Sequence, residues 1–187
     1  MSIRTIEQYM VNDMDLVDAI TKAFYRLYKY DHYLIDHEPE VKIDENEKNK
    51  YFSNHHVGER AIVFRYAYYL QEILHNQGFY SDYVLDCEYN RDGDKPKIIM
   101  SLGKNVFPDL VIHKRVQKDN LLVMEFKTYW NRNQEEDIRK IEAFMDNNET
   151  DSYNYKYGIA ALIGKDGVAL TLIDKWKQCY IDIKSFK

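Results

Sequence analysis

The stretch Asn120-Leu-Leu-Val-Met-Glu-Phe-Lys127 constrains this chain most. Five of its eight residues are apolar, which asks for a buried strand, yet a carboxylate and an ammonium interrupt its end. Strand side chains alternate, so Leu121, Val123, Glu125 and Lys127 share one face. The segment before it, Phe107 to His113, also reads as a strand, and a short polar turn separates the two. Folding the pair about Gln117 matches residues whose numbers sum to about 234, which sets Asp109 opposite Glu125. Carboxylates directly across a strand pair repel and destabilise the sheet. A cation between them removes the conflict. Two acids, water and a backbone carbonyl are hard oxygen ligands suited to Mg²⁺, with Mn²⁺ as a substitute. No soft ligand is near, which argues against zinc.

Glu59 approaches from a helix. Gly58 to His75 carries Ile62, Tyr66, Tyr69, Leu70 and Ile73 as an apolar stripe at helical spacing. Glu59 continues that stripe inward at the helix N-terminus, where the dipole favours negative charge. Capping is the plainer role for a Glu at that position, and an edge salt bridge is the plainer role for Glu125 with Lys127. Three acids and a lysine meeting at one point is the sharper expectation.

The remaining pattern predicts an α+β chain with a central mixed sheet flanked by helices. A first amphipathic helix runs from Asp15 to Tyr30. A charged loop, Asp36 to Lys50, reads as a solvated connection. Strands are expected at Ser81–Tyr89, Ile98–Leu102, Tyr157–Ile163, Val168–Ile173 and Gln178–Ile183, and a helix at Glu135–Asp146. Gly164-Lys165-Asp166-Gly167 marks a hairpin, and the last strand is expected to close the sheet. The organisation is one globular unit. Residues 1–50 supply an N-terminal helix and loop packed on a main domain of residues 51–187.

At 187 residues the chain has room for one core without disulfides or structural metal. Cys87 and Cys179 lack zinc-site spacing and read as free thiols, which with the absence of a signal-like start points to the cytoplasm. No apolar run is long enough to span a membrane. The net charge is −5, but residues 95–140 carry ten Lys or Arg against six Asp or Glu, so a local +4 stands against −9 elsewhere. Local charge decides where a phosphate backbone docks. There is no phosphate-binding Gly-rich loop, dinucleotide fingerprint or Gly-x-Ser-x-Gly elbow, so ATPase, dehydrogenase and serine-hydrolase readings have no support.

Pro108-Asp109, fifteen residues, then Glu125-Phe126-Lys127 resembles the signature of the PD-(D/E)XK nuclease superfamily. The resemblance covers roughly Val57 to Ile173. It implies a restriction-endonuclease-like αβββαβ core, here with an extra N-terminal helix. It also implies Mg²⁺ held by Asp109, Glu125, the Phe126 carbonyl and Glu59, with Lys127 orienting or deprotonating water. Glu59 looks like the additional acid on the first core helix; Asp137 and Lys140 look like supporting polar positions after Lys127. The activity implied is phosphodiester hydrolysis, in DNA before RNA, in defence or repair, by an enzyme of a kind that often works as a homodimer. The alternative is a non-catalytic module that keeps the fold to bind nucleic acid or protein.

Several further residues carry weaker expectations. Arg132, Lys140 and His113 are expected to touch substrate phosphate, although a satisfied surface histidine is the commoner state of His113. His55-His56 cannot readily chelate one metal. Tyr25, Tyr28, Tyr30 and Tyr33 are read as core-packing or dimer-contact residues before base-stacking ones. Lys114, Arg115 and Lys118 are read as a solvated turn.

Overall fold

Two amphipathic patterns with different periods dictate the architecture, helical at Met14–Asp31 and Glu59–Asn76 and alternating in the strands they cover. The computed structural model describes residues 2–36, 57–78, 82–92, 94–99, 104–115, 117, 119–131, 133–146, 153–176 and 178–186. The loop expected at Asp36 to Lys50 lies outside these apart from Asp36, as do His55, His56, Lys118 and Arg132.

The chain opens with a short strand β1 (Ser2–Ile3) and a one-turn helix α1 (Ile6–Tyr9), neither of which the sequence pattern announces. Thr5 starts α1 with a capping box: its side chain accepts from Gln8 N while the Gln8 side chain accepts from Thr5 N. Helix α2 (Met14–Asp31) buries Leu16, Ile20, Ala23, Phe24 and Leu27, and a 3-10 turn (His32–Leu34) ends it. Helix α3 (Glu59–Asn76) buries Ile62, Tyr66, Leu70 and Ile73, the stripe read from the sequence.

The strands that follow are β2 (Val84–Cys87), two-residue pieces β3 (Arg91–Asp92), β4 (Lys95–Pro96), β5 (Ile98–Ile99) and β6 (Lys104–Asn105), then β7 (Leu110–His113) and β8 (Asn120–Thr128). Helix α4 (Glu135–Met145) and strands β9 (Tyr157–Ile163), β10 (Gly167–Ile173) and β11 (Cys179–Ser185) complete the chain. Seven strands form one sheet in the order β1-β11-β10-β9-β8-β7-β2. The pairs β8/β9 and β1/β11 are parallel and the rest antiparallel. The sheet is therefore mixed, and helices cover both faces.

Strand β8 divides the core. Leu122, Met124 and Phe126 join the cluster built with α2 and α3, while Val123 joins Val111, Ala160 and the α4 residues Ile141, Phe144 and Met145. Phe24, Tyr66 and Phe126 pack their rings together on the first face. The N-terminal helices thus share one apolar cluster with the sheet. Burial on this scale contributes about 25 cal/mol per Å² of apolar surface.

Four expectations need correction. The strand at Ser81–Tyr89 stops at Cys87, because Glu88 takes φ +50° and breaks the extended backbone. The strand at Phe107–His113 begins only at Leu110; Pro108 before it has no N–H for a ladder. Leu121 is not on the Val123 face. The register slips between Ile112 and His113, leaving Leu121 as the extra residue, and it packs in the α2/α3 cluster beside Leu122. Finally, β11 does not close the sheet, since β1 lies beyond it. Among the described residues no helix is long and apolar enough to cross a membrane.

Candidate active site

The register of β7 on β8 fixes the centre of the site. Leu110 pairs with Met124 and Val111 with Val123, so one more step along each strand sets Asp109 against Glu125. Asp109 stands just ahead of β7, and its Oδ2 accepts the Phe126 N–H at 2.7 Å. Its backbone carbonyl accepts from Glu88 N. Glu125, in mid-strand, is 1 % exposed.

Three elements converge at the C-terminal end of β8. From the α3 layer comes Glu59, the first residue of that helix; from the opposite layer comes Asp137 in the first turn of α4. The Lys127 ammonium stands 3.3 Å from Glu59 Oε1 and 3.3 Å from Asp137 Oδ2, and 3.5 Å from the Phe126 carbonyl. One turn along α4, Lys140 donates to Glu125 Oε2 at 2.6 Å. Asp137 and Lys140, three residues apart, share a helix face turned to the sheet.

Four carboxylates thus meet two ammoniums, and when all are ionised two negative charges remain. Burial first, then the charge of Asp109, pushes the Glu125 carboxyl well above its ordinary range, against the pull of Lys140. Burial likewise raises Asp109, although the Phe126 N–H, Lys140 and Lys127 oppose it. Glu59 and Asp137 are raised by burial too, with Lys127 opposing and the Asp109 charge adding. Lys127 moves the other way from an ordinary buried lysine: burial lowers it, but Asp137 and Glu59 outweigh that and hold it as an ammonium.

Buried polar atoms nearly always find partners, so an orphan calls for one such as water or an ion. Among the described residues, Glu59 Oε2, Glu125 Oε1 and Asp137 Oδ2 are buried without a hydrogen bond, alongside Thr128 Oγ1 and Gln134 Nε2. Asp137 Oδ2 has the Lys127 ion pair at 3.3 Å, without hydrogen-bond alignment. The two glutamate oxygens have none. These hard oxygens, with a residual charge matching one divalent cation, fit Mg²⁺ or Mn²⁺ in chemistry. In the present arrangement the ammoniums stand on the acids, and no three His, Cys, Asp or Glu side chains of the described residues converge as ligands.

A cleft of about 530 Å³ opens beside the cluster, lined by Glu59, Asp109, Arg60, Glu88, Phe64 and Phe107 among others. Arg60 Nε meets Glu88 Oε1 at 2.6 Å on its border. The sequence did not point to a role for Phe64, Phe107 or Arg60, and Glu88 stood out only within the stretch Glu88-Tyr89-Asn90-Arg91, without a role. The available signal was Phe64, an aromatic on the polar side of the α3 stripe.

His113 is not part of this gathering. It lies four residues along from Asp109, 3 % exposed, with Nε2 at 2.9 Å from Asp86 Oδ2 and its ring against Tyr89. Arg115 also donates to Asp86, so the basic turn is tied to the β2 edge rather than solvated throughout. Both cysteines are free thiols. No family model, no curated protein and no solved structure matches the chain.

Proposed function

We propose that this protein is a divalent-metal-dependent nuclease that hydrolyses phosphodiester bonds, with DNA as the first substrate to test. The observation that carries the reading is the opposition of Asp109 and Glu125, with a Glu125 oxygen unpartnered among the described residues and Lys127 two residues on. The order α3–β2–β7–β8–α4–β9, with an antiparallel trio and a parallel β8/β9 pair, supports the restriction-endonuclease-like resemblance.

In this reading Asp109, Glu125 and the Phe126 carbonyl would hold Mg²⁺. The bound ion supplies a Lewis acid for the phosphoryl oxygen and a lowered pKa for water. The protein's own groups do the rest. Lys127, kept as an ammonium by Asp137 and Glu59, orients the attacking water and adds positive charge where the transition state becomes more negative. It is not the base, because its neighbours hold its proton. Glu59 borders the cleft with Oε2 unpartnered among the described residues and its pKa raised, so we assign it as acceptor of the water's proton. Lys140 offsets the charge of Glu125, and Asp137 positions Lys127.

Incubating the purified protein with labelled single- and double-stranded DNA and RNA, with Mg²⁺ or Mn²⁺, tests the reading. Cleavage that EDTA stops and that Glu125→Ala and Lys127→Ala abolish supports it. Cleavage unchanged in either variant removes that residue from the chemistry. Absence of cleavage across the panel favours a non-catalytic module. One observation speaks for that second reading: Lys140 on Glu125 and Lys127 between Glu59 and Asp137 already offset much of the acidic charge.

A further inference from the structure

We infer that the cleft beside Asp109 receives single-stranded nucleic acid, whose unpaired bases stack on Phe64 and Phe107. The inference takes its reaction from the nuclease reading, while its binding claim is tested separately.

Phe64 is 64 % exposed and Phe107 45 %, and both border the cleft that Glu59 and Asp109 also line. Scattered single exposed apolar residues are ordinary, but two large rings flanking one acid-lined cleft are a shaped surface. The outward face of α3 extends it. Arg60, Phe64 and Tyr68 follow at intervals of four residues, a step of about 6 Å along the helix axis. Tyr68 is also half exposed, and the Arg65 guanidinium lies 5.3 Å from its ring centre. Strand-binding surfaces use flat faces for bases and cations for the backbone; here the exposed rings supply the faces, while the Arg65 guanidinium is paired with Asp31 at 2.9 Å.

A duplex does not fit this chemistry. Paired bases hide their faces in the stack, so Phe64 and Phe107 would have nothing to meet. Duplex affinity comes chiefly from cations along the phosphates. Here the border carries Glu59, Glu88 and Asp109 against Arg60, whose guanidinium is engaged by Glu88, on a chain of net charge −5. Stacking, not charge, must then supply most of the affinity. Stacking accepts any base, which makes the expected binding tolerant of sequence. The volume, about 530 Å³, lies in the range of sites that enclose a ligand of nucleotide size.

Fluorescence anisotropy tests this on the full chain in EDTA, with a labelled mixed-sequence oligonucleotide of about 15 residues. It is offered as single-stranded DNA, as single-stranded RNA and as a DNA duplex. At least one single strand should bind roughly tenfold or more tighter than the duplex, and the two single-strand arms distinguish the sugars. Phe64→Leu and Phe107→Leu should each weaken single-strand binding by about 5- to 150-fold, while Phe64→Tyr keeps it. Far-UV circular dichroism checks that the variants stay folded. Duplex binding as tight as single-strand binding, unchanged affinity in both leucine variants, or no binding to any strand overturns the inference. A parallel incubation with Mg²⁺ separates the two claims: a strand bound through Phe64 but left intact sinks the nuclease reading and leaves this one standing.

Discussion

Lys140 donates to Glu125 Oε2 at 2.6 Å, joining α4 to β8 through a pair in which Glu125 is almost wholly out of water. Glu125 Oε1 stays unpartnered among the described residues, and Asp109 adds a second negative charge beside it. One ammonium is therefore too little for two neighbouring acids, one of them buried. The same imbalance recurs at Lys127, which faces both Glu59 and Asp137.

Removing the Lys140 charge should expose that imbalance. Lys140→Met is expected to destabilise the protein by about 3 kcal/mol at pH 8, because it leaves a buried carboxylate without its partner. The double variant Lys140→Met/Glu125→Gln should regain most of the loss. Urea unfolding of both variants and the parent gives the comparison, and a double variant no better than the single would detach the two residues.

Acidification should reveal the raised carboxyls. A carboxyl whose folded pKa lies above its unfolded one binds its proton more tightly when folded. Its stabilising effect is complete below the ordinary 4.5 of a Glu and is lost as pH rises through the raised folded value. Without divalent ions, Glu125→Gln should match the parent in stability near pH 4 and exceed it by about 1 kcal/mol at pH 8, the scale of trade-offs between stability and function. Chemical denaturation in EDTA at the two pH values measures this. A variant less stable at both would contradict it.

Asp86 behaves in the opposite sense. Burial opposes its charge, but the hydrogen bonds from His113 and Arg115 outweigh that and hold its carboxyl far below the usual carboxylate range. A depressed pKa contributes stability above the unfolded value of 3.8 that is lost as pH falls through the folded one. Asp86→Asn should cost about 2 kcal/mol at neutral pH, with the deficit shrinking in strong acid. Nucleic-acid cleavage, normalised to folded protein, should be unaffected. A specific loss of activity would place His113 in the chemistry after all.

Helix α4 reaches the sheet over Gly158. A Cβ there would run into Ile141 Cγ2 and Met145 Sδ, so Gly158→Ala forces those side chains of α4, and with Ile141 branched at Cβ the helix that carries it, to shift. Overpacking of this kind costs about 1–3 kcal/mol. Because α4 carries Asp137 and Lys140, activity should fall further than stability accounts for. Thermal melts and cleavage rates on one preparation test this, and full activity would show that α4 tolerates displacement.

Much of this geometry was legible because it is local. The Asp109–Glu125 opposition follows from two apolar strands and a short polar turn, and the observed pairs Leu110–Met124 and Val111–Val123 keep that phase. The α3 stripe needed only helical spacing. The bulge at Leu121 did not show, since two adjacent leucines give no sign of which is the extra residue. Strand β1 and helix α1 are too short to leave a period. The partners of the two lysines were hidden for a different reason: Lys127 meets Glu59 across 68 positions of sequence, a contact set by packing. Lys97 is the sharpest omission. It is 2 % exposed, donates to Tyr155 Oη at 2.8 Å, and lies within 6 Å of the ring centres of Tyr89, Phe144, Tyr153 and Tyr155. Those aromatics are scattered along the chain, so only folding gathers them around one cation.

Calorimetric titration of the purified protein with Mn²⁺ addresses the opposed carboxylates most directly. Saturable binding near one ion per chain, lost in both Asp109→Asn and Glu125→Gln, is expected if the opposed acids hold the metal. Heats indistinguishable from buffer, or binding that survives both substitutions unchanged, would contradict it.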